Sequence, residues 1–233
     1  MNGGSFMGIM ATIKARNAAS KYSKGDVEGA IQLYQEAIRD GLTDVRSLLT
    51  YSVILIRQGK FQEARELLVK IQKYPMTDDN RSQLFVNYAS CVYKMGEVQK
   101  GIDVLERQHE KQPCGMIYQT LGYLYVEAGE AEKALNFNTE AYDYDDEDPI
   151  TLDNLGQTYY RLLDDKEKAK EYFEKALEVK PGQIDTLYFL AQYDLEAGDQ
   201  EAARSKLEKA LEGRFSPLNY ATREMVEELL RTL

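Results

Sequence analysis

Apolar and small residues recur along this chain with the 3.6-residue period of helices, and short turns interrupt them at near-regular intervals. The clearest stretch runs from Gly115 to Asp148. Tyr118, Leu121, Gly122 and Tyr125 fall at i, i+3, i+4 and i+7, one face of a first helix that Gly129 ends. Ala134, Phe137, Ala141 and Tyr142 mark one face of a second. The small residues Gly122 and Ala134 stand where two antiparallel helices must approach closely, since larger side chains would hold them apart.

The pattern repeats. The alanine that opens the second helix has counterparts at Ala30, Ala64, Gly101, Ala134, Ala169 and Ala203, spaced by 34, 37, 33, 35 and 34 residues. The turn glycine before it is Gly25, Gly59, Gly96, Gly129 and Gly198, with Leu163-Asp164-Asp165 in its place once. The small residue of the first helix is Ala18, Ser52, Ala89, Gly122, Gly156 and Ala191. Three ladders in one register, with a one-residue slip in the fifth repeat, predict an array of helical hairpins stacked side by side.

On these residues the chain resembles the tetratricopeptide (TPR) repeat family: a bulky residue, Leu-Gly and Tyr on the first helix, then Ala, an aromatic and Ala on the second. Tyr118, Leu121-Gly122, Tyr125, Ala134 and Ala141 match; Asn138 stands where the family has Phe or Tyr. The resemblance implies an all-α, right-handed superhelical solenoid. The expected division is an apolar, flexible leader over 1–10, six repeats at 11–44, 45–81, 82–114, 115–148, 149–183 and 184–217, and a capping helix over 218–233. The turn between the second and third repeats is placed at Thr77–Arg81, and Ser216-Pro217 is read as opening the last helix. That helix carries Met225, Val226, Leu229, Leu230 and Leu233 on one stripe and charged residues on the other.

Charge and chemistry narrow the function. A formal charge of -10 disfavours a nucleic-acid partner, which needs a basic stripe. No apolar run reaches the ~18 residues of a membrane span, and the first residues lack a basic leader, so a cytoplasmic location is the default expectation. With two cysteines, Cys91 and Cys114, and one histidine, His109, neither a disulfide framework nor a zinc site is expected, and no cofactor is implied. His109 reads as a solvated surface residue. The acidic run Asp143–Asp148 lacks the bend glycine and distal Glu of a calcium loop and reads as a solvated turn. No convergent set of ionisable residues points to an enzyme.

The family resemblance places function on the concave surface lined by first helices, and implies a non-catalytic scaffold or adaptor that holds a peptide or helix of a partner protein, with self-association also possible. The clamp that binds chaperone C-termini needs basic residues there. The matching positions hold Ala15, Ala19, Thr50, Gln83 and Asn87, or, one repeat on, Leu49, Val53, Asn87, Met116 and Thr120, so that role is disfavoured. What the inner positions do hold is apolar or aromatic: Leu49, Val53, Ile56, Val86, Tyr93, Tyr123, Val126 and Tyr160, the candidate partner-binding residues. A regulator that senses a signal peptide is the alternative, though such proteins carry an effector segment for which this sequence has no spare residues.

Overall fold

The computed structural model describes the backbone of residues 3–233 and the side chains from residue 8 onward. All regular structure among them is helical. α1 (Gly3–Ser23) pairs with α2 (Val27–Arg39) and α3 (Val45–Arg57) with α4 (Phe61–Ile71), and α5 (Asp78–Lys94) and α6 (Val98–His109) follow. Then come α7 (Gly115–Glu127) with α8 (Ala131–Tyr144), α9 (Pro149–Gln157) with α10 (Lys166–Val179), and α11 (Ile184–Glu196) with α12 (Gln200–Leu211), before a last helix, α13 (Arg223–Arg231). The chain divides into two compact units, one ending at Gln108 and one running from His109 to Leu233.

Within the hairpins, the turn glycines Gly25, Gly59, Gly96, Gly129 and Gly198 all sit at positive φ, between 71° and 87°. Without a Cβ they end one helix and launch the next at no steric cost. Many second and later helices are opened by an acidic or hydroxyl cap. Asp26 accepts from Gly29 N, Asp165 from Lys168 N and Asp199 from Ala202 N, each satisfying an N–H that has no helical partner.

The fifth repeat is built differently at its turn. α9 runs on through a π-helical turn, Thr158–Leu162, and the left-handed position is taken by Asp164 at φ 54°. The single-residue slip in the alanine ladder is absorbed here: a π turn accommodates one extra residue without breaking the helix. Asp tolerates the left-handed region better than most residues, so the missing glycine is survivable.

In the first unit, α1 packs on α2 and α3 on α4, and the first helices α3 and α5 pack on each other. Leu48, Ile54, Leu55, Leu68 and Ile71 are buried there, and Tyr34 stacks on Tyr51 with ring centroids 4.8 Å apart. Ser52 Oγ, a small residue of the first-helix ladder, accepts from Asn87 Nδ2 at 2.9 Å. In the second unit α7 packs on α8 and α9, α11 on α12, and α13 on α12. Phe173, fully buried, lies where Gly156 leaves room: a Cβ on Gly156 would stand 2.5 Å from its ring. Burying one such ring is worth about 1.5–3 kcal/mol.

Several expectations need correction. α1 begins at Gly3, so Gly3-Gly4 stand within a helix and the apolar residues to Met10 continue it; the side chains of Phe6 and Met7 lie outside the described ones. Ile9 and Ile13 are exposed on it. α5 starts at Asp78, not after Arg81, because Thr77 Oγ1 accepts from Asn80 N and two acidic residues favour the first turn. The last helix opens at Thr222, well after Ser216, because a buried carboxylate engages the intervening backbone, as described below.

His109 is not solvated. Its side chain is 17% exposed and wedged between Tyr118 and Phe137, at centroid distances of 4.7 and 5.1 Å. Its Nε2 lies 3.4 Å from Glu140 Oε1, which also accepts from the Tyr118 hydroxyl at 2.7 Å. Aromatic neighbours outcompeted water for a ring that the flanking Arg107 and Lys111 made look like surface.

Candidate functional site

The first-helix side of the second unit carries a pocket of about 420 Å³. Its walls include Gln119, Thr120 and Tyr123 from α7, Asp153 and Asn154 from α9, Asp185 from the first turn of α11, and Ser216, Leu218 and Asn219 from the stretch before α13. Three successive first helices therefore present side chains to one space, because residues three to four apart in each helix share a face.

The amides in this wall are tied to the fold. Gln119 Nε2 donates to Asp148 Oδ1 at 2.9 Å, and Asn154 Nδ2 donates to the Gln119 carbonyl at 2.9 Å. Asp148 also caps α9, accepting from Thr151 N at 2.8 Å, so the end of the acidic run serves the fold as an N-cap. Behind the wall, Asn138 is fully buried; its Nδ2 donates to the Gly122 carbonyl and to Thr158 Oγ1, both at 3.3 Å. The departure from the family's aromatic residue is thus filled by a polar contact that ties α8 to α7 and to the π turn.

Two carboxylates, Asp153 and Asp185, are 2% and 3% exposed. Asp153 accepts from Thr186 Oγ1 at 2.6 Å and from Gln157 Nε2 at 2.7 Å. Asp185 accepts from Ala221 N at 3.0 Å and from Tyr220 N and Asn219 Nδ2, both at 3.1 Å. Loss of solvation pushes Asp153 up to about 7, and the neighbouring charge of Asp185 adds to it. Burial likewise raises Asp185, to about 6, against the hydrogen bonds from Ala221, Asn219 and Tyr220 that favour its charged form.

The candidate residues fall into two groups. Leu49, Ile56, Val86, Tyr123 and Val126 are buried, while Val53, Tyr93 and Tyr160 are half-buried. Of the eight, Tyr123 borders the pocket. Tyr160 sits among Phe189, Tyr193 and Phe173, with its hydroxyl 3.3 Å from Gln192 Oε1. Leu49, Val53, Ile56, Val86 and Tyr93 belong to the first unit, whereas the pocket is built wholly from the second. Asp153, Asp185, Asn154 and Asn219 are pocket residues that the sequence did not single out. An acidic or amide residue in a helix reads as solvated, and only the one-turn offset of Asp153 and Gln119 from the ladder glycines Gly156 and Gly122 could have placed them on the inner face.

Among the described residues no group of three or more His, Cys, Asp and Glu could hold a metal ion, and no helix is long and apolar enough to cross a membrane. Burial pushes the Cys91 thiol up to about 12, so it is protonated at neutral pH and a poor nucleophile.

Comparison with known proteins agrees with this architecture. Residues 16–75 and 151–183 match tetratricopeptide-repeat families. TPR repeat-containing protein YpiA of Bacillus subtilis is 28% identical over 75% of this chain; the chain spans 39% of that relative's length. Among solved structures, a thermophilic TPR protein of Thermus thermophilus superposes with a TM-score of 0.65 at 18% identity, covering 81% of this chain and 97% of that one. The MamA protein superposes with a TM-score of 0.58 at 25% identity, covering 74% and 92%. With the glycine-ended hairpins, the stacked first helices and these matches together, the chain is a tetratricopeptide-repeat protein with an all-α TPR solenoid fold.

Proposed function

We propose that the chain is a non-catalytic scaffold that holds a peptide or helix of a partner protein on the first-helix faces of its repeats, with the pocket beside Tyr123 as the anchoring point. The observation that carries this reading is the pocket itself, where α7, α9 and α11 converge on a space of about 420 Å³, enough for a few side chains. Helical-repeat arrays use such faces for protein binding, and binding energy concentrates in buried aromatic anchors. Tyr123 and Tyr160 fill that role in the second unit. Tyr93 and Val53, half-buried on first helices of the first unit, are the further candidates there.

The test is affinity capture of a partner, followed by titration of that partner into wild type and variants whose melting curves match. Tyr123→Ala and Tyr160→Ala should each weaken binding by more than about 1 kcal/mol, and Tyr93→Ala by less if the second unit dominates. Neutralising Asp145 and Asp146 should alter mainly the salt dependence and on-rate. If the tyrosine variants bind like wild type while the acidic variant fails to bind, recognition lies at the acidic turn instead.

A second reading, self-association through α1, is favoured by the exposure of Ile9 and Ile13, at 56% and 43%. Apolar residues exposed together commonly mark an interaction surface. Sedimentation velocity on Ile9→Lys/Ile13→Lys checks it: a wild-type oligomer that dissociates in the variant supports this reading, and a monomer in both removes it.

A further inference from the structure

The stretch between α12 and α13 is bound by the second unit in the way a groove binds a foreign peptide. Two consecutive backbone N–H groups, of Tyr220 and Ala221, and the side chain of Asn219 donate to the single buried carboxylate of Asp185 in α11. The Tyr220 ring stacks on Phe189, with centroids 5.1 Å apart and planes at 22°. On it lies the Arg161 guanidinium, 4.1 Å from the centroid. Arg161 is held in turn by Glu127 of α7 at 2.6 Å and by Gln157 of α9 at 2.9 Å. Elements from three repeats thus supply an acceptor for main-chain N–H, an aromatic platform and a cation over the ring. These are the components by which grooves recognise a peptide backbone and its aromatic anchor.

The position of the segment strengthens the likeness. Ser216, Leu218 and Asn219 also wall the pocket that Tyr123 borders, so the stretch occupies the same first-helix side as the proposed binding site. α13 and the last residue of the segment share one core: Ala221 and Val226 are both fully buried, and Leu229, Leu230 and Leu233 pack with them against Leu207 and Ala210 of α12, whereas Asn219 and Tyr220 lie outside that core and are partly exposed.

We propose that residues 219–221 act as an intramolecular ligand on the partner-binding face of the second unit, and that the partner presents a non-helical segment whose aromatic side chain takes the place of Tyr220. The proposal rests on the reading of that face as a binding face and specifies its partner class. A seat filled by the chain's own segment weakens the apparent affinity for a competitor in proportion to the fraction of time it is vacant; a segment seated about 90% of the time weakens binding about tenfold. Displacement joins the pocket to the cleft between Phe189 and Arg161, giving a longer site than either alone.

The probe is a labelled peptide with the sequence of residues 215–222, Phe-Ser-Pro-Leu-Asn-Tyr-Ala-Thr, capped at both ends and titrated by fluorescence anisotropy into the full chain. Tyr220→Ala should bind it at least tenfold more tightly than wild type does. The same peptide with alanine at the tyrosine should bind neither, and Tyr220→Ala/Arg161→Ala should lose the gain. Equal binding to wild type and Tyr220→Ala, or no binding to a Tyr220→Ala chain whose circular dichroism and melting match wild type, overturns the proposal and leaves the segment a structural clasp. Should Tyr220→Ala fold poorly, Asn219→Ala removes the side chain's two hydrogen bonds, to Asp185 and from Ser216 N, and spares the rings. A gain of about threefold in peptide binding then supports the proposal, and no gain overturns it. Because the readout needs no natural partner, its failure is separable from that of the binding-face reading, which is judged by the Tyr123→Ala and Tyr160→Ala titrations.

Discussion

At the scale of single residues, two features decide how the second unit is built. A Cβ on Gly122 would stand 2.0 Å from Asn138 Oδ1 and 3.1 Å from Asn154 Nδ2. Asn138 is fully buried and hydrogen-bonded on its amide side, so it cannot swing away. Gly122→Ala should therefore destabilise by about 1–3 kcal/mol and Gly122→Leu by more, read as a fall in denaturant midpoint with unchanged slope. The second feature is the burial of two carboxylates that feel each other's charge. Both Asp153 and Asp185 have folded pKa values raised above those of an unfolded chain, so between about pH 4 and pH 7 the folded state binds more protons. Their contribution to stability is present below the unfolded value and is lost as pH rises through 6 to 7. Asp153→Asn should remove most of that slope, on the order of 1–3 kcal/mol more stable relative to wild type at pH 8 than at pH 4. Denaturant midpoints across that range check it, and parallel curves for the two proteins would contradict it. The close approach at Gly122 was legible in the glycine and alanine spacing, but a sequence does not show which aspartates lose their water.

At the scale of elements, the hairpins were legible because they rest on local signals that agree with one another: a helical apolar period, a small residue at the crossing and, in all but the fifth repeat, a turn glycine at positive φ. Even the π turn left a trace, as the 35-residue step between Ala134 and Ala169. The two misplaced helix starts have separate causes. At Thr77 the cap precedes the apolar pattern by about a turn, and at Ser216 a Ser-Pro pair has the look of a cap whose helix is deferred by the hold of Asp185 on residues 219–221. The latter is a contact between residues far apart in the chain, which local patterning cannot encode. The burial of Leu49, Ile56, Val86 and Val126 was not legible for a related reason: an inner-face position is exposed or covered according to how closely neighbouring first helices pack. α13 packs on α12 with Val226 buried. A chain ending at Pro217 should lose this cover from Ala203, Leu207 and Ala210, melt several degrees lower and associate in sedimentation velocity. A truncated chain that remains monomeric and melts like wild type would show that α13 covers nothing of consequence.

At the scale of the molecule, the chain is a TPR solenoid fold whose two units each own a core, and whose net charge of -10 biases it toward partners that are not acidic. The proposed scaffold function places the binding surface on first helices, so it depends on geometry as much as on any side chain. Hydrogen–deuterium exchange of the full chain, with and without the partner recovered by affinity capture, tests that placement most directly. Binding on the first helices predicts new protection in 115–127, 149–162 and 184–196, around Tyr123 and Tyr160, together with faster exchange at the Tyr220 and Ala221 amides as their segment is displaced. Protection confined to the second helices α8, α10 and α12, or to the acidic turn at 143–148, would contradict it.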